Sequence, residues 1–136
     1  MADYYTKCSV EIPCTKEQFN WLKAELNTWE QLRGFWENEP YDEGDYRAAR
    51  ECLHFSENEG LWVTDNDGWV PGLLYDILQA FVREFKTSPI FIQLAYDCSK
   101  PRLDAYGGCA VMITADEIRA KGTDVLIAEW RKEIDP

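Results

Sequence analysis

The feature that most constrains the fold is an apolar series between Trp69 and Phe85 that has the spacing of one helix face. Its members recur at intervals of three and four residues: Leu74, Ile77, Leu78, Phe81, Val82 and Phe85. Pro71 stands near the start, where its fixed φ angle suits a first helical turn. Because such a stripe is stable only when buried, this helix requires a second layer of structure.

A second helix is predicted after Pro13. Thr15 and Gln18 have the spacing of a capping box, in which each residue accepts a hydrogen bond from the other's backbone. Gly34 stands where a C-terminal cap is expected. Between them the apolar residues again follow helical spacing: Phe19, Leu22, Leu26 and Trp29.

Five segments have the patterns of strands. Residues 4–12 alternate strictly, which places Cys8, Val10 and Ile12 on one buried face. Residues 51–55 and 61–65 flank a turn-rich stretch that ends in Gly60, so they predict a hairpin. The two remaining segments, 90–97 and 109–114, are apolar on both faces, which favours central positions in a sheet.

The C-terminal part predicts further helices. Thr114 and Glu117 have the spacing of a second capping box, which would open a short helix that ends at Gly122. A final helix is predicted over 123–134, capped by Thr123 or Asp124.

These elements predict one α+β domain over residues 1–136. It has an antiparallel or mixed sheet of four to five strands, with two helices on one face. The first six elements follow the ferredoxin-like βαββαβ order, and a C-terminal strand and short helices come after them. Residues 35–50 fit neither period and predict an exposed, irregular, acidic insertion.

The charge balance excludes some classes of partner. The chain has 25 acidic against 14 basic residues and a net charge of −11. Direct nucleic-acid binding is not expected, because phosphate contacts depend on Lys and Arg. No stretch has the length of a membrane span, and the N-terminus lacks the pattern of a secretory signal. The expected location is therefore the cytoplasm.

The cysteines and the single histidine indicate no cofactor. Five cysteines without a CxxC pair, together with His54 alone, supply no zinc-ligand pattern. The odd count fits reduced thiols, and Cys8 and Cys109 are expected to point into the core. His54 is predicted on the exposed face of its strand. No catalytic motif is present and no enzyme is predicted; a carboxylate or thiol site without a motif is the alternative.

Acidic and aromatic residues are concentrated between Phe35 and Asp67. This stretch has ten acidic residues against two arginines, and Trp and Tyr are interleaved with them. Aromatic anchors beside charges are typical of protein interfaces, whereas a solvated insertion would explain the charges alone. The predicted partner-binding residues are Trp36, Glu37, Glu39, Tyr41, Asp42, Glu43, Asp45, Glu57, Glu59 and Trp62.

A second candidate site is the loop 98–108. Lys100 and Arg102 stand close to the pair Gly107 and Gly108, and flexible glycine backbone beside two cations can form a small anion site. This loop supports the alternative prediction of a small-ligand or nucleotide-binding, sponge-like protein.

Segments 4–18, 73–85 and 90–118 together resemble a group of small acidic proteins of phages and other mobile elements. The shared pattern is a strand, an IP-T cap, a helix, an acidic insertion, a hairpin, a helix and a CSKPR…GG-AV-ITADEI hairpin. This chain departs from the pattern at Cys109, where the group has glycine. The resemblance implies a counter-defence role in a bacterial host, such as anti-CRISPR inhibition.

Combined with the acidic surface, this resemblance predicts a non-enzymatic inhibitor. It would act as a nucleic-acid mimic and dock on the basic nucleic-acid-binding site of a host complex, such as a CRISPR effector.

Overall fold

The computed structural model describes residues 3–33, 40–99 and 106–135, which form four helices and seven strands. The helices are α1 (Lys16–Leu32), α2 (Glu43–Glu51), α3 (Gly72–Phe85) and α4 (Thr123–Ile134). The strands are β1 (Tyr4–Lys7), β2 (Ser9–Ile12), β3 (Leu53–Ser56), β4 (Gly60–Thr64), β5 (Ile90–Cys98), β6 (Gly107–Ile113) and β7 (Ile118–Gly122).

The strands form two antiparallel sheets, so the predicted α+β class is confirmed. One sheet has the order β1-β5-β6-β7 and the other β2-β4-β3. The prediction of a single sheet is wrong, because the strand predicted over 4–12 is divided at Cys8. Its first half pairs with β5 and its second half with β4. This divided arrangement does not confirm the ferredoxin-like order.

One hydrophobic core joins the three helices α1, α2 and α3, which contact one another, to both sheets. The stripe predicted from residue 74 onward is buried except at its last member, Phe85, which is half-buried against the core. In α1, Leu22 and Leu26 are buried, whereas Phe19 and Trp29 are half-buried. The capping box at the start of α1 is confirmed, since Gln18 N donates to Thr15 Oγ1 at 3.1 Å and Thr15 N donates to Gln18 Oε1 at 2.9 Å. The predicted cap Gly34 lies outside the described residues.

The insertion predicted over 35–50 is wrong in its second half, where residues 43–51 form α2. One side of this short helix is buried in the core, through Tyr46, Ala48 and Ala49. Burial of that side stabilises a helix that is too short to be stable alone. Residues 34–39 lie outside the described part of the chain.

The helix predicted after Thr114 is also wrong. Thr114 and Glu117 form the turn of the β6–β7 hairpin, in which Thr114 N donates to Glu117 O at 2.9 Å. The following residues, 118–122, are the edge strand β7. The final helix, α4, begins as predicted, but its N-cap is Gly122 rather than Thr123 or Asp124. Thr123 Oγ1 instead accepts a hydrogen bond from Gly108 N.

Strand β5 lies between β1 and β6, as its apolar sequence predicts, but only one of its faces is covered. Ile90, Ile92 and Leu94 are buried, whereas Phe91 and Gln93 on the opposite face are exposed. The β2-β4-β3 sheet has the same asymmetry, because Leu61 and Val63 are buried and Trp62 between them is exposed. Both sheets therefore present an outer face on which side chains are accessible to a partner.

Candidate protein-docking surface

Three of the predicted partner-binding acids stabilise α2. Asp45 N donates to Asp42 Oδ1 at 2.9 Å and Asp42 N donates to Asp45 Oδ2 at 3.0 Å, which is a reciprocal N-terminal cap. Glu43 forms an ion pair with Arg33 of the preceding segment at 3.1 Å. The density of acids at this point of the sequence is thus explained in part by the local requirements of a helix N-terminus.

The aromatic residues predicted beside these acids contribute to the core. Tyr46 is only 1% exposed. Tyr41 is half-buried, packs against the core and donates its hydroxyl to the Asp76 carboxylate on α3. Tyr41 is therefore a structural link between two segments rather than an accessible anchor. The other predicted residues of this segment, Trp36, Glu37 and Glu39, lie outside the described residues.

Trp62, in contrast, is an accessible anchor on the outer face of the β2-β4-β3 sheet. It is 41% exposed and stands directly opposite Glu11 on β2 and His54 on β3. Its Nε1 donates to Ser9 Oγ at 2.8 Å, and its ring lies 5.0 Å from the His54 ring. We refer to Ser9, Glu11, His54 and Trp62 as the Trp62 face.

Two predicted acids lie at one end of this face. Glu57 and Glu59 occupy the turn between β3 and β4, where both side chains are exposed. Neither forms an ion pair with another described residue. Their charges, together with that of Glu11, place negative potential beside the exposed tryptophan ring.

Ser9 and Glu11 are the members of the Trp62 face that the sequence analysis did not identify. Their alternation with Val10 and Ile12 places them on an outer face. The strand register alone brings them next to Trp62, since Glu11 and Trp62 are far apart in sequence and the pairing β2–β4 joins them. His54 is exposed, as predicted.

All five cysteine thiols are free. Burial raises the pKa of Cys8 to about 11 and that of Cys52 to about 12, and the Asp65 carboxylate adds to both shifts. These thiols are neutral at neutral pH and are weak nucleophiles. Cys109, predicted in the core, is half-buried and packs against it. Among the described residues no cluster of three His, Cys, Asp or Glu side chains could hold a metal ion.

Of the second candidate site, the structure describes Gly107 and Gly108. Lys100 and Arg102 lie outside the described residues. A Cβ atom at Gly108 would lie 2.9 Å from Leu94 O, and one at Gly107 would lie 3.1 Å from Thr123 Oγ1. Glycine at these two positions of β6 thus permits β5 and the start of α4 to lie close to the β6 backbone. Beside them is a groove of about 650 Å³, lined by residues that include Tyr96, Tyr106, Cys109, Thr123, Ile127 and Arg131.

The described helices include none that is long and apolar enough to cross a membrane. Fold and surface together define a class: an α+β domain that presents an acidic, tryptophan-centred sheet face. Comparison of the chain with protein-family models, with curated proteins and with solved structures finds no match.

Proposed function

We propose that this chain is a non-enzymatic inhibitor that docks its Trp62 face, with Glu57 and Glu59, on a basic protein surface. The observation that carries the proposal is a tryptophan that is 41% exposed at the centre of a sheet face and bordered by acidic residues. Tryptophan is enriched among the residues that dominate binding energy at protein interfaces.

The Trp62 ring is held in place before any partner binds. Its hydrogen bond to Ser9 and its tilted ring contact with His54 hold the ring on the sheet. Preorganisation of this kind reduces the conformational entropy that is lost on association. The exposed part of the ring is therefore available for binding without further ordering.

The charge of the chain determines the kind of partner. A net charge of −11 attracts basic surfaces and repels nucleic acid. The most basic surfaces of host proteins are those that bind nucleic acid, and an acidic protein can occupy them as a mimic. The resemblance to small acidic phage proteins supports a CRISPR effector or a similar defence complex in the bacterial cytoplasm as the target. Taken across the two sheets, the sequence β5, β1–β2, β4, β3 supports the predicted ferredoxin-like order with a divided first strand.

The proposal is tested by capture from a bacterial lysate with the wild-type chain and with two variants, Trp62→Ala and Trp69→Ala. Trp69 is the matched control, because it is 47% exposed but lies outside the β2-β4-β3 sheet. We expect a nucleic-acid-binding protein to be retained by the wild type and by Trp69→Ala, to be lost with Trp62→Ala, and to bind more weakly as salt is added. Equal retention by both variants would refute the proposal.

The groove beside α4 supports a second candidate function, the binding of a nucleotide. Tyr96 and Tyr106 offer aromatic surfaces and Arg131 offers a cation, whereas the Asp124 carboxylate in the same lining opposes an anion. A nucleoside monophosphate should then raise the melting temperature of the wild type but not that of Arg131→Ala. No shift with any nucleotide would exclude this function.

A further inference from the structure

Helix α4 differs from the other three helices in having almost no buried surface. None of its residues is buried, whereas even the shorter α2 buries Tyr46, Ala48 and Ala49. In α4 only Leu126 is half-buried, and the other residues are exposed. A helix of this length is marginal in water when it has no packing partner. We therefore expect another surface to cover it.

The exposed apolar surface of α4 increases toward its end. Near its start, Thr123 Oγ1 accepts a hydrogen bond from Gly108 N at 3.1 Å, which attaches the helix to β6. Beyond that contact the exposed fraction rises from 44% at Ile127 to 54% at Trp130 and 84% at Ile134. The largest apolar side chains are thus the most accessible ones.

These side chains have the spacing of a helix–helix seam. Thr123, Ile127, Trp130 and Ile134 recur at intervals of four, three and four residues, which places them along one face of the helix. This is the pattern by which one helix packs along another. The covering element that best fits α4 is therefore a second helix.

The surface beside this seam is complementary to itself. Thr123 and Ile127 line one wall of the groove of about 650 Å³, and Tyr96 and Tyr106 line another part of it. Trp130, which protrudes, is not part of that lining. A second copy of α4 that runs in the opposite direction would lay its protruding end on this groove, and the reverse contact would form at the same time. Such a twofold arrangement uses the same patch on both copies.

The charges beside the seam favour that opposite direction. Asp124 and Arg131 are seven residues apart, so they lie on the same side of the seam. Both line the groove, and neither forms an ion pair with another described residue. In an antiparallel pair of helices, Asp124 of each copy lies beside Arg131 of the other. A parallel pair would instead place each residue near its own counterpart, with like charges together.

The net charge of this part of the chain permits self-association. Residues 118–135 contain four basic and four acidic residues, so their net charge is zero, whereas the whole chain has −11. The basic residues are Arg119, Lys121, Arg131 and Lys132, and the acidic ones are Asp124, Glu129, Glu133 and Asp135. Two copies that meet here bring together the segment with the least repulsion.

We propose that a second copy of this chain covers α4, as a twofold dimer in which the two α4 helices run antiparallel. Trp130 and Ile134 of each copy pack on the groove of the other, and Asp124 pairs with Arg131 across the interface. This inference is independent of the proposed docking function, because Trp62 belongs to the other sheet.

The expected dimer is weak. A helix of twelve residues is about 18 Å long, so it offers less surface than the roughly 800 Å² per partner of a standard interface. We expect a dissociation constant on the order of 10 μM, at the weak end of specific association.

The first test is sedimentation velocity of the full chain over a range of concentrations. The wild type and Trp69→Ala should pass from monomer to dimer, whereas Trp130→Ala should associate about tenfold more weakly or less. Trp69 is the matched control, because it is 47% exposed and lies outside α4. Alanine is the better helix former, so the loss at Trp130 would not come from unfolding of α4.

The second test exchanges the charges at low salt. Asp124→Arg and Arg131→Asp should each associate about tenfold more weakly than the wild type, since each places like charges together at both symmetric contacts. An equimolar mixture of the two variants should form a heterodimer, because every contact between them joins opposite charges again. Lys132→Asp is the control for Arg131→Asp; it makes the same change of charge on the far side of the helix and should leave the dimer intact. Melting temperatures confirm that each variant is folded.

Three results would overturn the inference. One is a wild type that stays monomeric up to about 500 μM, far above the expected dissociation constant. Another is failure of the mixed charge variants to associate more strongly than either alone. The third is a different occupant of the face: a monomeric wild type whose capture of a host protein is lost with Trp130→Ala, or whose groove binds a nucleotide equally well with and without Trp130.

Discussion

Asp65 links the two halves of the divided strand, and its replacement by alanine should destabilise the fold. Its carboxylate accepts from Cys8 N at 3.0 Å, at the point of division, and from Gly68 N at 2.8 Å. Hydrogen bonds to a charged acceptor each contribute about 1.5–3 kcal/mol, and a donor that cannot reach water loses the most. Cys8 is 8% exposed, whereas Gly68 is half-buried and can be rehydrated. We therefore expect Asp65→Ala to lower the free energy of unfolding by about 3 kcal/mol.

The assay is urea unfolding followed by circular dichroism and tryptophan fluorescence, with Glu59→Ala as the control. Glu59 is an exposed acid whose removal changes the net charge by the same amount. The control should change the free energy of unfolding by no more than about 0.5 kcal/mol. If Asp65→Ala differed from Glu59→Ala by less than about 0.5 kcal/mol, the assignment of Asp65 as the link at the strand division would be refuted.

Three further predictions concern the cap of α2 and the cysteines. Asp42→Ala should lower the free energy of unfolding by about 1 kcal/mol, measured in urea, because it removes one half of the capping box; an unchanged value would contradict the cap. Stability should be constant up to about pH 9, the ordinary pKa of cysteine, and fall as pH rises toward 11–12, because Cys8 and Cys52 keep their protons only when folded. In a Cys8→Ala/Cys52→Ala variant, urea unfolding should show a smaller loss of stability at alkaline pH. Part of the loss should remain, because burial also raises the pKa of Tyr75. In native protein, iodoacetamide should modify the half-buried Cys14 and Cys109 before the three buried cysteines, as peptide mass spectrometry would show; equal rates would contradict the described burial.

Long periodic segments could be predicted from the sequence, because their pattern is set by burial of a whole face. The stripe of α3 is an example. The cap of α1 could be predicted for a different reason, since Thr15 and Gln18 form a local motif. The sequence does not predict helix α2, because acidic residues such as Asp42 and Asp45 are typical of an exposed loop. The helix has only nine residues, too few to show a clear apolar period. The spacing of Thr114 and Glu117 suits a capping box and a hairpin turn equally, and tertiary pairing with β6 determined which one formed.

The division at Cys8 illustrates a second limit. Alternation from Tyr4 to Ile12 continues without a break, because it reports which face is buried and not which strand is the partner. For the same reason Trp62, Glu57 and Glu59 could be named as candidates from the sequence, whereas Glu11 and Ser9 required the β2–β4 register. That β2 and residues 90–94 of β5 each pair on one side only is apparent only when the registers are known.

The most direct test of the docking account is the affinity of the captured partner for the wild type and for Trp62→Ala, measured by calorimetry at low salt. The account predicts a loss of about 2 kcal/mol or more, near thirtyfold, for Trp62→Ala. It predicts little change for Trp69→Ala. Glu57→Lys/Glu59→Lys should weaken binding more than Glu133→Lys/Asp135→Lys, which makes the same change of charge on and beyond α4. Equal affinities for the two tryptophan variants, or for the two charge-reversed pairs, would contradict the account.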